Sequence, residues 1–226
     1  MKNILLASFS ILAYLSIGQT SSSIGIMGSL DYTYRYIDTK LYSKESGKLN
    51  YRLGINYDRK ISNRCWIEVG VRYASVGYKI DEKNIKWGSE YDTLKGMWIP
   101  NPDLPHKLTS YIDYLFIEIP VCLRYQLSKS KWNPYFIAGI SPDFYINTKV
   151  KNVTELYTTN NTEKTYFFKK LNFSAIVGFG FDYAITQNCE VFGQPSFRYY
   201  FTNIQNQPIE EYLYSFGIEL GVRKNL

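Results

Sequence analysis

Tyr212-Leu213-Tyr214-Ser215-Phe216-Gly217-Ile218-Glu219-Leu220-Gly221-Val222-Arg223 is the stretch that decides the fold. Tyr212, Tyr214, Phe216, Ile218, Leu220 and Val222 form one set, and Ser215, Gly217, Glu219, Gly221 and Arg223 alternate with them. Side chains of a β-strand point alternately to opposite sides, whereas a helix repeats every 3.6 residues. A period of two therefore predicts a strand with one apolar and one polar face.

The same alternation recurs upstream. It predicts strands over residues 24–37, 49–61, 66–80, 111–127, 134–146, 171–186 and 190–201, so that 212–223 is the eighth. The third slips phase near Ser75 to Tyr78, where a bulge is expected. The fifth is the least clear, because Phe136, Ala138 and Ile140 blur its two faces. Connections after strands two, four and six are short (62–65, 128–133, 187–189). The others are longer, above all 81–110 and 147–170. In an up-and-down sheet all the long loops then lie at one end, the form of an outer-membrane barrel with tight periplasmic turns.

A soluble barrel would turn the apolar faces inward; a membrane barrel turns them to lipid. The membrane reading is favoured. The apolar faces are long and uniform, and rings crowd their ends, as in Tyr32, Tyr34 and Tyr36 or Phe197, Tyr199 and Phe201. Such rings suit interfacial girdles. Charges of both signs fall on the polar faces: Arg35, Arg52, Glu68, Arg72, Glu118, Arg124, Asp182, Arg198, Glu219 and Arg223. Eight strands enclose a space that side chains largely fill, so these groups are expected to form a packed structural network in the lumen. Glu118 and Arg124 are expected to pair with neighbours such as Arg72 or Glu68. The fold class predicted is all-β, an eight-stranded antiparallel up-and-down transmembrane β-barrel.

The chain opens on Lys2, an apolar run from Ile4 to Ile17, and small residues Ser16 and Gly18 before Gln19. That is the layout of a cleaved export signal over 1–18, leaving 19–226 as one barrel domain. The net charge of +6 is scattered along the chain, which argues against a nucleic-acid partner. Cys65, Cys122 and Cys189 are odd in number, so three unpaired thiols are expected, although one Cys65–Cys189 bridge is conceivable. No Cys or His spacing suggests a metal, and no cofactor is implied.

Tyr114-Leu115-Phe116-Ile117-Glu118-Ile119-Pro120-Val121-Cys122-Leu123-Arg124-Tyr125 resembles the Ile-Pro strand of Bacteroidetes outer-membrane β-barrel proteins of the PorT-like family. Asn133-Pro134-Tyr135 through Ala138-Gly139 is similar to the segment that follows it there. Gly178-Phe179-Gly180-Phe181-Asp182 resembles a later strand of the same group. The resemblance implies a barrel fold and an outer-membrane location. It implies no single activity, although the founding member takes part in type IX protein secretion.

The candidate partner surface lies in the loops. Trp87, Trp98 and His106 sit in the second long loop, where exposed aromatics with prolines suit a protein partner. Lys149, Lys151, Lys164, Lys169 and Lys170 could meet lipopolysaccharide phosphates, with outer-membrane lipid around the barrel. His106 is the only histidine, and its neighbours fix no base–nucleophile pair on one strand. No catalytic residue is assigned. The expectation is a non-enzymatic outer-membrane barrel acting through external loops. Alternatives are a PorT-like secretion accessory, a lipid A-modifying barrel enzyme and a soluble lipocalin-like carrier.

Overall fold

The computed structural model describes residues 21–37, 44–83, 89–100, 105–128, 130–163, 168–205 and 210–226. The export signal expected over 1–18 and Trp87 lie outside them. The strands are β1 (Ser22–Ile37), β2 (Lys44–Lys60), β3 (Cys65–Lys83), β4 (Ser89–Asp92), β5 (Met97–Pro100) and β6 (Lys107–Glu118). They continue with β7 (Val121–Gln126), β8 (Trp132–Thr154), β9 (Thr158–Glu163), β10 (Leu171–Ala184), β11 (Cys189–Tyr200) and β12 (Glu211–Asn225).

The main sheet is antiparallel and closes on itself. Its order runs β10, β11, β12, β1, β2, β3, β6 with β7, and β8, which pairs back to β10. β6 and β7 are two lengths of one stave, so the barrel has the eight staves read from the alternation. The seam runs the full height, from Ser23 opposite Asn225 to Ile37 opposite Glu211. Closure leaves no free edge, which hydrocarbon would not tolerate. No helix among the described residues is long and apolar enough to cross a membrane.

Pro120 explains the break in the divided stave. It has no N–H to donate, so the ladder lapses at Ile119 and Pro120 and resumes where Val121 faces Val69. The carbonyl of Pro120 still accepts from Gly70 N–H at 3.0 Å, and Ile119 N–H donates to Pro142 at 2.9 Å.

The short turns lie at one end with both ends of the barrel stretch. Two of them share a pattern. In Ile61-Ser62-Asn63-Arg64-Cys65, Ile61 and Ser62 N–H donate to the Cys65 carbonyl at 2.9 and 3.1 Å. In Ile185-Thr186-Gln187-Asn188-Cys189, Ile185 and Thr186 do the same to Cys189 at 2.9 and 3.1 Å. The Ser62 and Thr186 hydroxyls accept from the N–H two residues on, the local bond by which hydroxyl residues nucleate turns. All three cysteines are free.

The strands differ from expectation in three ways. β3 runs on to Lys83 and β6 starts at Lys107, and β8 continues to Thr154 before β9 folds back on it. Much of the expected long loops is therefore sheet, since backbone pairing persists past the lipid boundary. β3 does not slip at Ser75 to Tyr78: its alternation holds and its inner face turns apolar at Ala74, Val76 and Tyr78, while the extra residue of the ladder sits in β2, between Gly47 and Tyr51. The blurred fifth strand resolves too. Phe136, Ala138 and Ile140 point outward, while the inner face also carries apolar groups, Tyr135 and Ile137.

Outside, Ile26 is 65% exposed and Leu220 61%, values that only an apolar solvent makes favourable along a whole wall. Aromatic side chains line both borders. Tyr34 stacks on Tyr214 at 5.5 Å and Tyr199 on Tyr212 at 6.4 Å near the loop end. Trp132 meets Tyr183 at 4.7 Å near the turn end. Gly77 marks a close approach, because a Cβ there would run into the Ile112 carbonyl on β6. Gly77→Ala is expected to lower stability by about 1–3 kcal/mol through overpacking. Urea titration of the refolded barrel checks this, and an unchanged midpoint would contradict the close approach.

Candidate functional site

The inward side chains stack in levels. Lowest is a cluster around Arg223 of β12. Its Nε lies 2.9 Å from Asp58 Oδ2, its Nη2 donates to Glu68 Oε2 at 3.1 Å, and its Nη1 to Asp182. The guanidinium sits over the Phe192 ring at 3.8 Å. Arg124 bridges the same acids, 3.5 Å from Asp58 and 3.3 Å from Asp182. Arg72 links this level upward, to Glu68 at 3.2 Å and Glu219 at 2.9 Å.

The next level centres on Glu118. Its Oε1 accepts from Arg52 Nε at 3.1 Å and from the Tyr200 hydroxyl at 2.9 Å. Its Oε2 faces Arg198 Nη1 at 3.0 Å. Arg52 also holds Asp31 at 2.5 Å. Asp143 accepts from the hydroxyls of Ser141 and Ser174 at 2.6 and 2.7 Å. Buried charges persist only when paired and hydrogen-bonded, and each guanidinium here meets its fork of carboxylates.

Above the charges lies an apolar cap. Ala74, Val76, Tyr78, Tyr114, Phe116, Tyr200, Ile204 and Leu213 form one buried cluster, with Tyr145 and Phe168 packed on it. Phe168 meets Tyr114 at 5.1 Å and Tyr145 at 5.2 Å. Phe168 and Ile204 come from connections outside the staves, joined where Lys169 N–H donates to the Ile204 carbonyl at 2.9 Å. A hydrogen-bonded chain ties the cap to the wall. Arg35 donates to the Tyr78 hydroxyl at 2.6 Å, Tyr78 lies 3.3 Å from Tyr114, and Tyr114 donates to Glu211 at 2.8 Å.

Arg52, Glu68, Arg72, Glu118, Arg124, Asp182, Arg198, Glu219 and Arg223 thus line the lumen, and Arg35 stands at its loop-side mouth. Their partners differ from expectation. Arg72 is opposite Glu118 in register yet turns to Glu68 and Glu219, and Arg124 takes Asp58 and Asp182. A barrel's stagger brings together side chains from distant staves, so ladder neighbours are not lumen neighbours. Asp31, Asp58, Asp143 and Glu211 belong to the arrangement and were missed as site residues. Alternation places Asp31 and Asp58 on polar faces, so that signal was available; Asp143 falls in the blurred fifth strand.

Outside the lumen, β4 and β5 form a hairpin turned at Thr93 to Gly96. Asp92 Oδ1 accepts from Leu94 and Lys95 N–H at 2.9 and 3.2 Å, and Gly96 takes a φ of 62°. Trp98 is exposed and packs edge-on to Tyr91 at 5.5 Å, and Leu94 at the tip is 97% exposed. His106 precedes β6, its backbone N–H donating to Glu155 at 3.2 Å. That bond and Lys107 at 3.1 Å hold the Glu155 carboxyl below its usual range.

The family model described as outer membrane protein beta-barrel domain matches residues 8–207. No curated protein matches the sequence. Among solved structures, the outer membrane protein OprG from Pseudomonas aeruginosa is similar at 10% identity, over 92% of this chain and 96% of that one, with a TM-score of 0.46. A major outer membrane protein from Thermus thermophilus is similar at 10% identity, over 91% and 99%, with a TM-score of 0.45. Neisserial surface protein A is similar at 14% identity, over 89% and 96%, with a TM-score of 0.43.

Proposed function

Because this chain belongs to the family of outer membrane protein β-barrel domains, we propose that it is a non-enzymatic barrel that engages a partner through its external hairpins. The protein lies in the outer membrane. The observation that carries the reading is the β4–β5 hairpin, which holds Tyr91, Leu94, Met97 and Trp98 in solvent. Apolar groups gathered on a turn that its own hydrogen bonds preorganise suit a protein partner. The exposed Lys149 and Lys151 on the outer length of β8 would meet lipopolysaccharide phosphates beside it. A histidine-dependent mechanism would have to use His106, which stands at the loop end away from the charged lumen. The strand break at Ile119 and Pro120 supports a place near the PorT-like group.

A photo-crosslinker at Lys95, beside Leu94 at the exposed tip, is expected to give a discrete adduct on intact cells. Leu94→Ser with Trp98→Ser should weaken it about 30-fold, the loss of a hot spot of roughly 2 kcal/mol. Heat-modifiable migration should stay normal in that variant. An adduct unaffected by the pair, or none at all, would sink the reading.

A further inference from the structure

The lipid-facing wall is not uniform. Beside the break at Ile119 and Pro120 a groove of about 470 Å³ opens on the outer surface. Ile55, Tyr57, Ile67, Val69, Val71 and Ile119 line it. Its volume falls in the range of about 300–1,000 Å³ typical of small-molecule sites. Arg59 and Lys60 edge it at the short-turn end. Arg59 shares the lipid-side face of β2 with Tyr57 and Ile61, and it stands opposite Ser22 and Ile67. No carboxylate pairs with Arg59 among the described residues, whereas Lys60 alternates to the inner face, its Nζ 5.9 Å over the buried Trp66 ring.

An arginine at the rim of an apolar wall lays its stem along that wall and holds its guanidinium at the interface, where an anion can meet it. The rim supplies little negative charge. Arg64 sits in the adjoining turn, and Lys224 stands opposite Ile24 on the next stave, while the acids Asp58, Glu68 and Asp182 are buried inward. The short turns face the periplasm, so this rim meets the phospholipid leaflet.

We infer that the groove is a binding site for one anionic phospholipid of the periplasmic leaflet. An acyl chain lies along Ile55, Val69, Val71 and Ile119, and the phosphate rests on Arg59. The ligand recognised is an apolar chain joined to a net negative head group, the chemistry by which basic pockets at membrane borders select lipids. The inference rests on the outer-membrane location and is independent of the hairpin partner.

Native mass spectrometry of the detergent-purified full barrel tests it, with phosphatidylglycerol and phosphatidylcholine of identical chains as probes. Phosphatidylglycerol should be retained at least tenfold over phosphatidylcholine. Arg59→Gln should weaken retention about fivefold, whereas Arg59→Lys and the inner-face variant Lys60→Gln should keep most of it. Val69→Trp fills the groove but keeps Arg59, and it should also release the lipid. Heat-modifiable migration confirms that each variant is folded. Equal retention of the two lipids, undiminished retention in Arg59→Gln, survival of the adduct in Val69→Trp, equal displacement by inorganic phosphate, or a dimer that Val69→Trp dissolves would each overturn the proposal.

Discussion

Glu118→Ala is expected to destabilise the barrel by about 3–5 kcal/mol, the cost of stranding a buried charge partner. Among the described residues Glu118 is the only carboxylate that joins Arg52 to Arg198, and it also accepts from Tyr200. Without it Arg52 keeps Asp31, but Arg198 is left with Asp143 at 3.9 Å. Two guanidiniums then face one another across a lumen too narrow to hydrate both. Glu118→Gln keeps the shape and an acceptor, so it should cost less. The decisive comparison is Glu118→Leu combined with Arg198→Met. Removing both charges should recover much of the loss, because the penalty lies in the unpaired ion and not in missing attraction. Urea titrations of the refolded barrel in lipid vesicles give the numbers. A Glu118→Ala barrel within about 1 kcal/mol of the parent would show that water, not protein, satisfies these arginines.

Arg223→Met is the mirror case. It removes the cation around which Asp58, Glu68 and Asp182 gather, in a chamber roofed by Phe192. Arg124 continues to serve Asp58 and Asp182, and Arg72 continues to serve Glu68. Three carboxylates would nonetheless share two guanidiniums at close range. A loss of about 3–5 kcal/mol is expected. Arg223 also lies on β12, the stave that closes the seam with β1, and its side chain ties that stave across the lumen to β2, β3 and β10. The variant should therefore show a smaller heat-modifiable fraction as well as an earlier urea midpoint. Arg223→Lys should fall between, because it keeps the charge but cannot present three donors in one plane. A normal folded fraction in Arg223→Met would remove this residue from any role in closure.

Much of the architecture is legible in the amino-acid pattern. The alternation in 212–223 and its relatives marks the staves, because a strand's facing is a local property of its backbone. The contrast of apolar and polar faces identifies the lipid side. The break at Pro120 divides a strand that the alternation alone runs unbroken over 111–127, because a residue with no N–H leaves the side-chain pattern intact while it interrupts the ladder. Two strands show weaker contrast, and in both the inner face itself carries apolar groups. β3 loses its contrast at Ser75 to Tyr78 because Ala74, Val76 and Tyr78 point into the apolar cap, and the fifth strand blurs because its inner face carries Tyr135 and Ile137.

The number of staves, their two faces, the asymmetry of their connections and the charges that point inward all follow from residue order. Which of those charges meet follows only from closure of the sheet. Glu118 lies opposite Arg72 in the ladder yet binds Arg52 and Arg198, and Arg223 collects acids from three other staves. Closure also brings Phe168 and Ile204 over the charges as a cap, and it sets Arg59 beside an apolar groove. Facing repeats every two residues along one strand, whereas meeting across a lumen depends on the stagger of the closed sheet, which no single strand contains.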